Sequence, residues 1–345
     1  MGEKYIGYAG TYTRQTSEGI YRFILDTEKA ELTNVEVAAK VGSPTYLTIS
    51  EGNRYLYSVA QQDKSGGVAA FSIDSETGEL SSLNTEVHEG APPCHLDVYQ
   101  NDLVTGNYHE GTVELYKTKI DGVNPVSSVY KHEGTGPHAR QEKPHVHYTA
   151  FTPDKQYVVV ADLGTNEVVT YKVNNGSLDK VNTLVVRAGS GPRHLAFHPN
   201  GKVAYLLTEL SSEVVVLDYN AEDGSFAEKQ YIKAIPADFT ETNDASAIHI
   251  PSDGRFVYTG NRGHNSIAVF SVDADSGELT FVEHTPSGGE WPRDFVLDPS
   301  EAFLIASNQH TGNLVLFARD KETGKLTKLD SEVSVPEVVC VKFLR

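Results

Sequence analysis

Apolar positions fall in short runs along the chain, and helical periodicity is nearly absent. Val, Ile, Tyr, Phe and Leu recur in strand-length stretches bounded by Gly, Pro, Asn and Asp, the pattern of strands joined by turns. One phrase of this pattern returns throughout. A Pro opens it, and a short apolar strand and a turn follow. A second strand ends on a polar residue. After another turn comes a third strand of the type Val-x-Val-Phe, then a hairpin into a weaker fourth strand. The opening prolines are Pro44, Pro93, Pro144, Pro192, Pro292 and Pro336, and the phrase recurs without its Pro near Asp244-Ala245. Successive openings lie 49, 51, 48, 52, 48 and 44 residues apart, about the length of one four-stranded propeller blade.

The second strands keep this register: Tyr5–Tyr12, Tyr55–Gln61, Leu103–Tyr108, Tyr157–Leu163, Val203–Leu210, Phe256–Arg262 and Phe303–Gln309. Several third strands end with Asp four residues before Gly (Asp74 and Gly78, Asp273 and Gly277, Asp320 and Gly324), which is turn chemistry. The last unit, Pro336–Leu344, holds only a first strand, whereas the chain begins with a second strand at Tyr5. The C-terminal strand therefore completes the N-terminal blade and removes open sheet edges. The pattern predicts an all-β, seven-bladed β-propeller with four-stranded blades, one domain over residues 1–345.

Charge narrows the possible partners. The 29 Lys and Arg against 47 Asp and Glu give a net charge of -18, which disfavours nucleic acid and anionic membrane at long range. A small anionic substrate then needs a local basic pocket. Two cysteines, Cys94 and Cys340, offer neither a disulfide framework nor metal spacing. The N-terminus lacks the apolar core of a signal peptide, and no apolar run is long enough to span a membrane. The expectation is a cytoplasmic protein, monomeric or weakly dimeric, with no cofactor and no metal. No phosphate-binding loop, dinucleotide fingerprint, Gly-x-Ser-x-Gly elbow or His-Glu-x-x-His occurs.

Candidate chemistry concentrates in Gly134–Tyr148. This stretch carries His138, His145 and His147 with Arg140, Glu142 and Lys143 among them. Its first half reads as a loop and its end as a strand. Strand alternation would point His145 and His147 the same way. In a propeller the innermost strands line a central channel, so equivalent slots of successive repeats can be compared. The slot after the opening Pro holds Thr45, Cys94, His145, Arg193, Ala245, Arg293 and Glu337. Counting back from Phe151-Thr152-Pro153 instead puts His147 in the slot of Arg193. The slot ending the second strand holds, within about a residue, Gly10, Ala60, Asn107, Asp162, Glu209, Asn261 and Asn308, with Arg262 adjacent. Divergence into different polar residues at one end of a ring is what a binding mouth requires. Trp291 reads as a pocket wall or as packing between blades.

These motifs also resemble a known family. The stretches are Tyr-Ala-Gly-Thr-Tyr-Thr (8–13), Gln-Glu-Lys-Pro-His-Val-His (141–147), Gly-Pro-Arg-His-Leu-Ala-Phe-His-Pro-Asn-Gly (191–201), Gly-Asn-Arg-Gly-His-Asn-Ser-Ile (260–267) and Trp-Pro-Arg-Asp-Phe (291–295). Together they resemble the bacterial seven-bladed propeller lactonases of the 6-phosphogluconolactonase type, which are related to fungal carboxy-muconate lactonising enzymes. The resemblance implies catalytic roles for His145, Arg193, Glu209 and Arg262. It leaves His147, Arg293, Arg140, Lys143, Asn107 and Asn308 as candidate substrate contacts. Lys143 stands where a small residue is common in the family, and reads either as a phosphate contact or as a surface lysine. The implied reaction is hydrolysis of 6-phosphogluconolactone to 6-phosphogluconate, a step of the pentose phosphate pathway. Glu209 or His145 would act as base, an arginine would face the oxyanion, and Arg293, Arg140 or Lys143 would hold the phosphate. Two other readings are a muconate-type intramolecular lyase and a non-enzymatic interaction scaffold.

Overall fold

The computed structural model describes residues 2–345, and every regular element among them is a strand. Seven antiparallel sheets form, numbered here as blades from the N-terminus. Blade 1 takes its innermost strand, Val338–Phe343, from the C-terminus and the rest from Lys4–Thr11, Gly19–Asp26 and Glu31–Lys40. The ring therefore closes as the termini predict. The innermost strands of blades 2 to 7 are Leu47–Ile49, His95–Tyr99, Val146–Phe151, Pro192–Phe197, Asp244–His249 and Pro292–Leu297. Blade 3 departs from the plan: its outer position is split between Gly122–Val123 and Ser128–Lys131, both paired with Thr112–Lys119.

Apolar faces of neighbouring blades pack into seven separate clusters, one at each junction. The cluster joining blade 7 to blade 1 contains Leu314 and Leu316 on one side and Phe23 and Val341 on the other. Seven blades in an open arc would have only six such junctions, so the ring buries one more apolar interface and leaves no exposed inner edge. The Asp-to-Gly hairpins add a polar link between blades. In blade 2, Asp74 Oδ1 accepts the amides of Glu76 and Thr77, and Gly78 takes a φ of 69°. The hydroxyl of Tyr8 in blade 1 then donates to the Gly78 carbonyl at 2.6 Å. Tyr205 and Tyr258 repeat this contact on Gly277 and Gly324.

The innermost strands carry a bulge that decides which side chains face the channel. Pairing skips His147 between Val146 and Tyr148, Arg193 between Pro192 and His194, and Arg293 between Pro292 and Asp294. A bulge leaves one residue unpaired and re-aims its side chain. His147, Arg193 and Arg293 are thereby equivalent, and counting from Phe-x-Pro is the register the fold adopts. His145 precedes its strand and does not share this slot. Ser246 and Val339 likewise take the positions expected for Ala245 and Glu337.

Candidate active site

One mouth of the channel opens into a cavity of about 710 Å³ whose walls include Tyr12, Tyr108, His147, Glu209, Arg262 and Arg293. Arg193 is buried beneath it and lines a small adjoining void with His147 and Arg293. The second strands deliver the wall residues by a repeated backbone contact. The amides of Tyr12, Gln61, Glu209 and Gln309 donate to the carbonyls of Glu337, Gly42, Gly191 and Trp291, in the segments that lead into the innermost strands. This contact carries the chain past the end of the second strand and over the rim. Gly191 accepts Glu209 with a φ of 67°, and a Cβ there would lie 2.6 Å from the Leu210 side chain.

Glu209 is the centre of the site. Its carboxylate meets Arg193 Nε at 3.1 Å, Arg262 Nη2 at 3.1 Å and Arg140 Nη2 at 2.5 Å. Burial alone would push this carboxyl up. The guanidiniums of Arg262, Arg193 and Arg140 outweigh it and hold Glu209 far below the usual carboxylate range. Arg262 also donates to the carbonyls of Asp244 and Ala245, and Arg193 to that of Ser246. Arg140 comes from outside the blades. Its loop crosses the mouth, pairs with Asp244 at 3.1 Å, and is pinned by buried Gln141, whose Nε2 donates to Leu163 O and Asn166 Oδ1.

His147 reaches the cavity wall with its Nδ1 buried and without a hydrogen-bond partner. Burial, then the nearby Arg193, drive its pKa well below the ordinary histidine value, so the ring is neutral. His145 is placed differently. Its Nδ1 bonds Tyr108 O at 2.8 Å, its Nε2 meets Glu142 Oε1 at 3.0 Å, and its ring stacks on Tyr108 at 4.2 Å. It supports Tyr108 from behind and is absent from the cavity lining.

The remaining candidates divide. Arg293 lines the cavity and donates to Tyr12 OH at 2.7 Å. Lys143 is exposed, bonds His109 O at 2.6 Å, and does not line the cavity. Asn107 and Asn308 are fully buried in the slot before the cavity residues and bond the carbonyls of Ala91 and Ser287. Asn261 makes the same kind of contact to Ala234 O. These amides tie each second strand to the loop entering its innermost strand, so their polarity serves the frame. Tyr12, Gln61, Tyr108, Glu209 and Arg262, each in or within two residues of the slot ending its second strand, all line the cavity. Tyr12 and Tyr108 carry no signal of their own in the comparison of slots. Arg14, Lys64 and His109 line the rim without any repeat signal. Trp291 stacks on His310 at 5.0 Å and backs Arg262 at 5.6 Å.

Two further groups invite a chemical reading. Burial pushes the Cys94 thiol up to about 11, so it is not a thiolate nucleophile at neutral pH. His132, Asp162 and Glu167 lie close enough to share a cation. However, His132 spends its nitrogens on Asp162 and Tyr171. Asp162 Oδ1 accepts the amides of His145, Gly164 and Thr165. The cluster is a satisfied hydrogen-bond network.

A ring of seven blades with a buried Glu–Arg cluster at one mouth matches a described class of proteins. Residues 6–343 match the family model described as Lactonase, 7-bladed beta-propeller, and the chain belongs to that family. It is 55% identical over 345 residues to the 6-phosphogluconolactonase of Bacillus subtilis (strain 168), covering 99% of each chain. A solved structure from Lactobacillus plantarum superposes with a TM-score of 0.95 at 43% identity, covering 100% of both chains. The periplasmic gluconolactonase of Pseudomonas aeruginosa superposes with a TM-score of 0.94 at 30% identity, covering 99% of both.

Proposed function

We propose that this protein hydrolyses 6-phosphogluconolactone to 6-phosphogluconate. The observation that carries the reading is the neutral His147 on the cavity wall, beside an arginine cluster organised by one buried glutamate. The 6-phosphogluconolactonase of Bacillus subtilis, similar along the whole length, supports the choice of substrate.

In this reading water attacks the lactone carbonyl carbon while His147 takes one of its protons on Nε2, the ring nitrogen that is not buried. A carbon–oxygen bond forms, and the carbonyl oxygen becomes an oxyanion held by Arg193. The oxyanion then collapses and the ring carbon–oxygen bond breaks. The imidazolium returns its proton to the departing ring oxygen, leaving a hydroxyl and a carboxylic acid that ionises. Glu209 does not serve as base. Three guanidiniums hold its proton affinity too low, and its part is to fix them in position. The cavity walls come from one chain, so the site is complete in a monomer. A charged sugar phosphate does not cross a bilayer unaided, and we assign the reaction to the cytoplasm, where such substrates are phosphorylated.

The test follows consumption of 6-phosphogluconolactone by coupling its product to 6-phosphogluconate dehydrogenase at near-neutral pH, with spontaneous hydrolysis subtracted. A rate well above background that is lost in Arg193→Ala is expected. No rate above background with the purified protein would overturn the assignment.

A further inference from the structure

The cations of the cavity fall into two groups. Arg140, Arg193 and Arg262 share the carboxylate of Glu209. Arg14, Lys64 and Arg293 line the same cavity and form no ion pair among the described residues. Glu337 is the acid beside Arg14, yet it is already committed. Its two oxygens accept the backbone amides of Arg14 at 3.1 Å and Gln15 at 2.9 Å, which shapes the loop and leaves the guanidinium unneutralised.

Tyr12 joins two of these cations. The Arg14 guanidinium lies 3.9 Å from the centre of its ring, and Arg293 donates to its hydroxyl at 2.7 Å. The Arg293 charge lowers the proton affinity of that hydroxyl. Tyr12 is itself fixed, its amide bonded to Glu337 O at 3.1 Å. Lys64 stands across the rim on the turn after Tyr55–Gln62. Asp63 on that turn also lines the cavity, so the lining on this side carries three cations against one carboxylate, with Glu337 outside it. In a chain of net charge -18, such a local excess is a focused attraction for a multiply charged anion.

We propose that Arg14 and Arg293, bridged by Tyr12 and faced by Lys64, form the phosphate subsite, and that they set the preference for a phosphorylated over an unphosphorylated lactone. The proposal rests on the lactonase reading above. The two groups then divide the work. The Glu209-bound arginines and His147 address the reacting carbonyl. The unpaired cations on the blade 1 and blade 2 side take the phosphate, for which a guanidinium fork is well matched. Lys143, held on the His109 carbonyl outside the cavity lining, takes no part.

The experiment compares wild type with Arg14→Gln and Lys64→Gln, both at exposed positions where the fold tolerates change. Two quantities are read: the ratio of kcat/KM for 6-phosphogluconolactone to that for unphosphorylated gluconolactone, and the calorimetric Kd values of 6-phosphogluconate and gluconate. Arg14→Gln is expected to lower the kcat/KM ratio by roughly 10- to 100-fold, mainly through KM, and to weaken 6-phosphogluconate binding to match. Lys64→Gln is expected to act in the same direction, less strongly and with greater sensitivity to salt. An unchanged ratio together with unchanged 6-phosphogluconate binding in Arg14→Gln overturns the subsite. If wild type turns over neither lactone, the lactonase reading fails and calorimetry decides the subsite alone. Phosphate-dependent binding lost in Arg14→Gln then supports it, and its absence in wild type overturns it.

Discussion

Arg193 and Glu209 meet beneath the cavity with Nε 3.1 Å from Oε2, both side chains almost fully buried. The contact is close but not aligned, and the Nε–H has no hydrogen-bond partner. The pair is a charge contact, with the Nε–H itself buried. Replacing Glu209 by Gln would remove the charge that neutralises three guanidiniums. Its expected cost is about 3–5 kcal/mol in urea unfolding and about 10²–10³ in kcat/KM. Wild-type stability in Glu209→Gln would show that the arginines do not depend on it.

The two neighbouring histidines should separate in kinetics. His147→Ala is expected to lower kcat/KM by about 10²–10⁴, as for loss of a general base. His145→Ala removes contacts to Tyr108 O and Glu142 and acts on activity only through the placement of Tyr108. Its effect should be at least about tenfold smaller than that of His147→Ala. The reverse ranking would return the role of base to His145.

The pH profile follows from the environment of His147. Burial and Arg193 hold its pKa well below the ordinary histidine value. Activity needs the unprotonated ring, so lowering the pKa moves the acid limb to lower pH. The enzymatic kcat/KM should stay level from about pH 7.5 to about pH 5.5, through the ordinary histidine range. A fall centred near an ordinary histidine pKa would contradict a buried neutral base.

Stability should respond to acid earlier than activity. His95, His147 and His194 line the channel, and burial depresses all three, His95 to about 3. Each binds a proton in the unfolded chain near the ordinary histidine value of about 6.5 but stays neutral when folded. Stability is therefore fully present above that value and falls as the pH drops below it. With three such groups the slope approaches roughly 4 kcal/mol per pH unit. Urea unfolding between about pH 7 and pH 5 measures it, and a flat dependence would mean that the buried rings are protonated in the folded protein.

The buried amides test the division between frame and site. Asn107→Ala leaves the Ala91 carbonyl and the Glu110 amide without their partner. Expected is a stability loss of about 1–3 kcal/mol with KM for the lactone held at the wild-type value. A large KM increase without destabilisation would make Asn107 a substrate contact instead.

The ring could be read from the chain because its cause is local. Strand alternation, opening prolines and Asp-to-Gly hairpins recur at blade length, and the orphan strand after Pro336 can pair only with the edge left open at Tyr5. The residue types of the site, Arg193, Glu209 and Arg262, were legible for the same reason: each breaks a repeat at an equivalent position. What alternation does not encode is the bulge. One unpaired residue in each of three innermost strands turns His147, not His145, to the cavity and sets His147 level with Arg193 and Arg293. Nor does sequence tell the anchoring amide of Asn107 from the cavity-facing Tyr108 beside it, because both are polar ends of one strand. Arg14 lies in blade 1 and Arg293 in blade 7, and closure of the ring brings them to one rim. Local periodicity determined the blades, whereas the tertiary structure decided which charges are neutralised and which remain free, because ion pairing depends on distances between segments far apart in the chain.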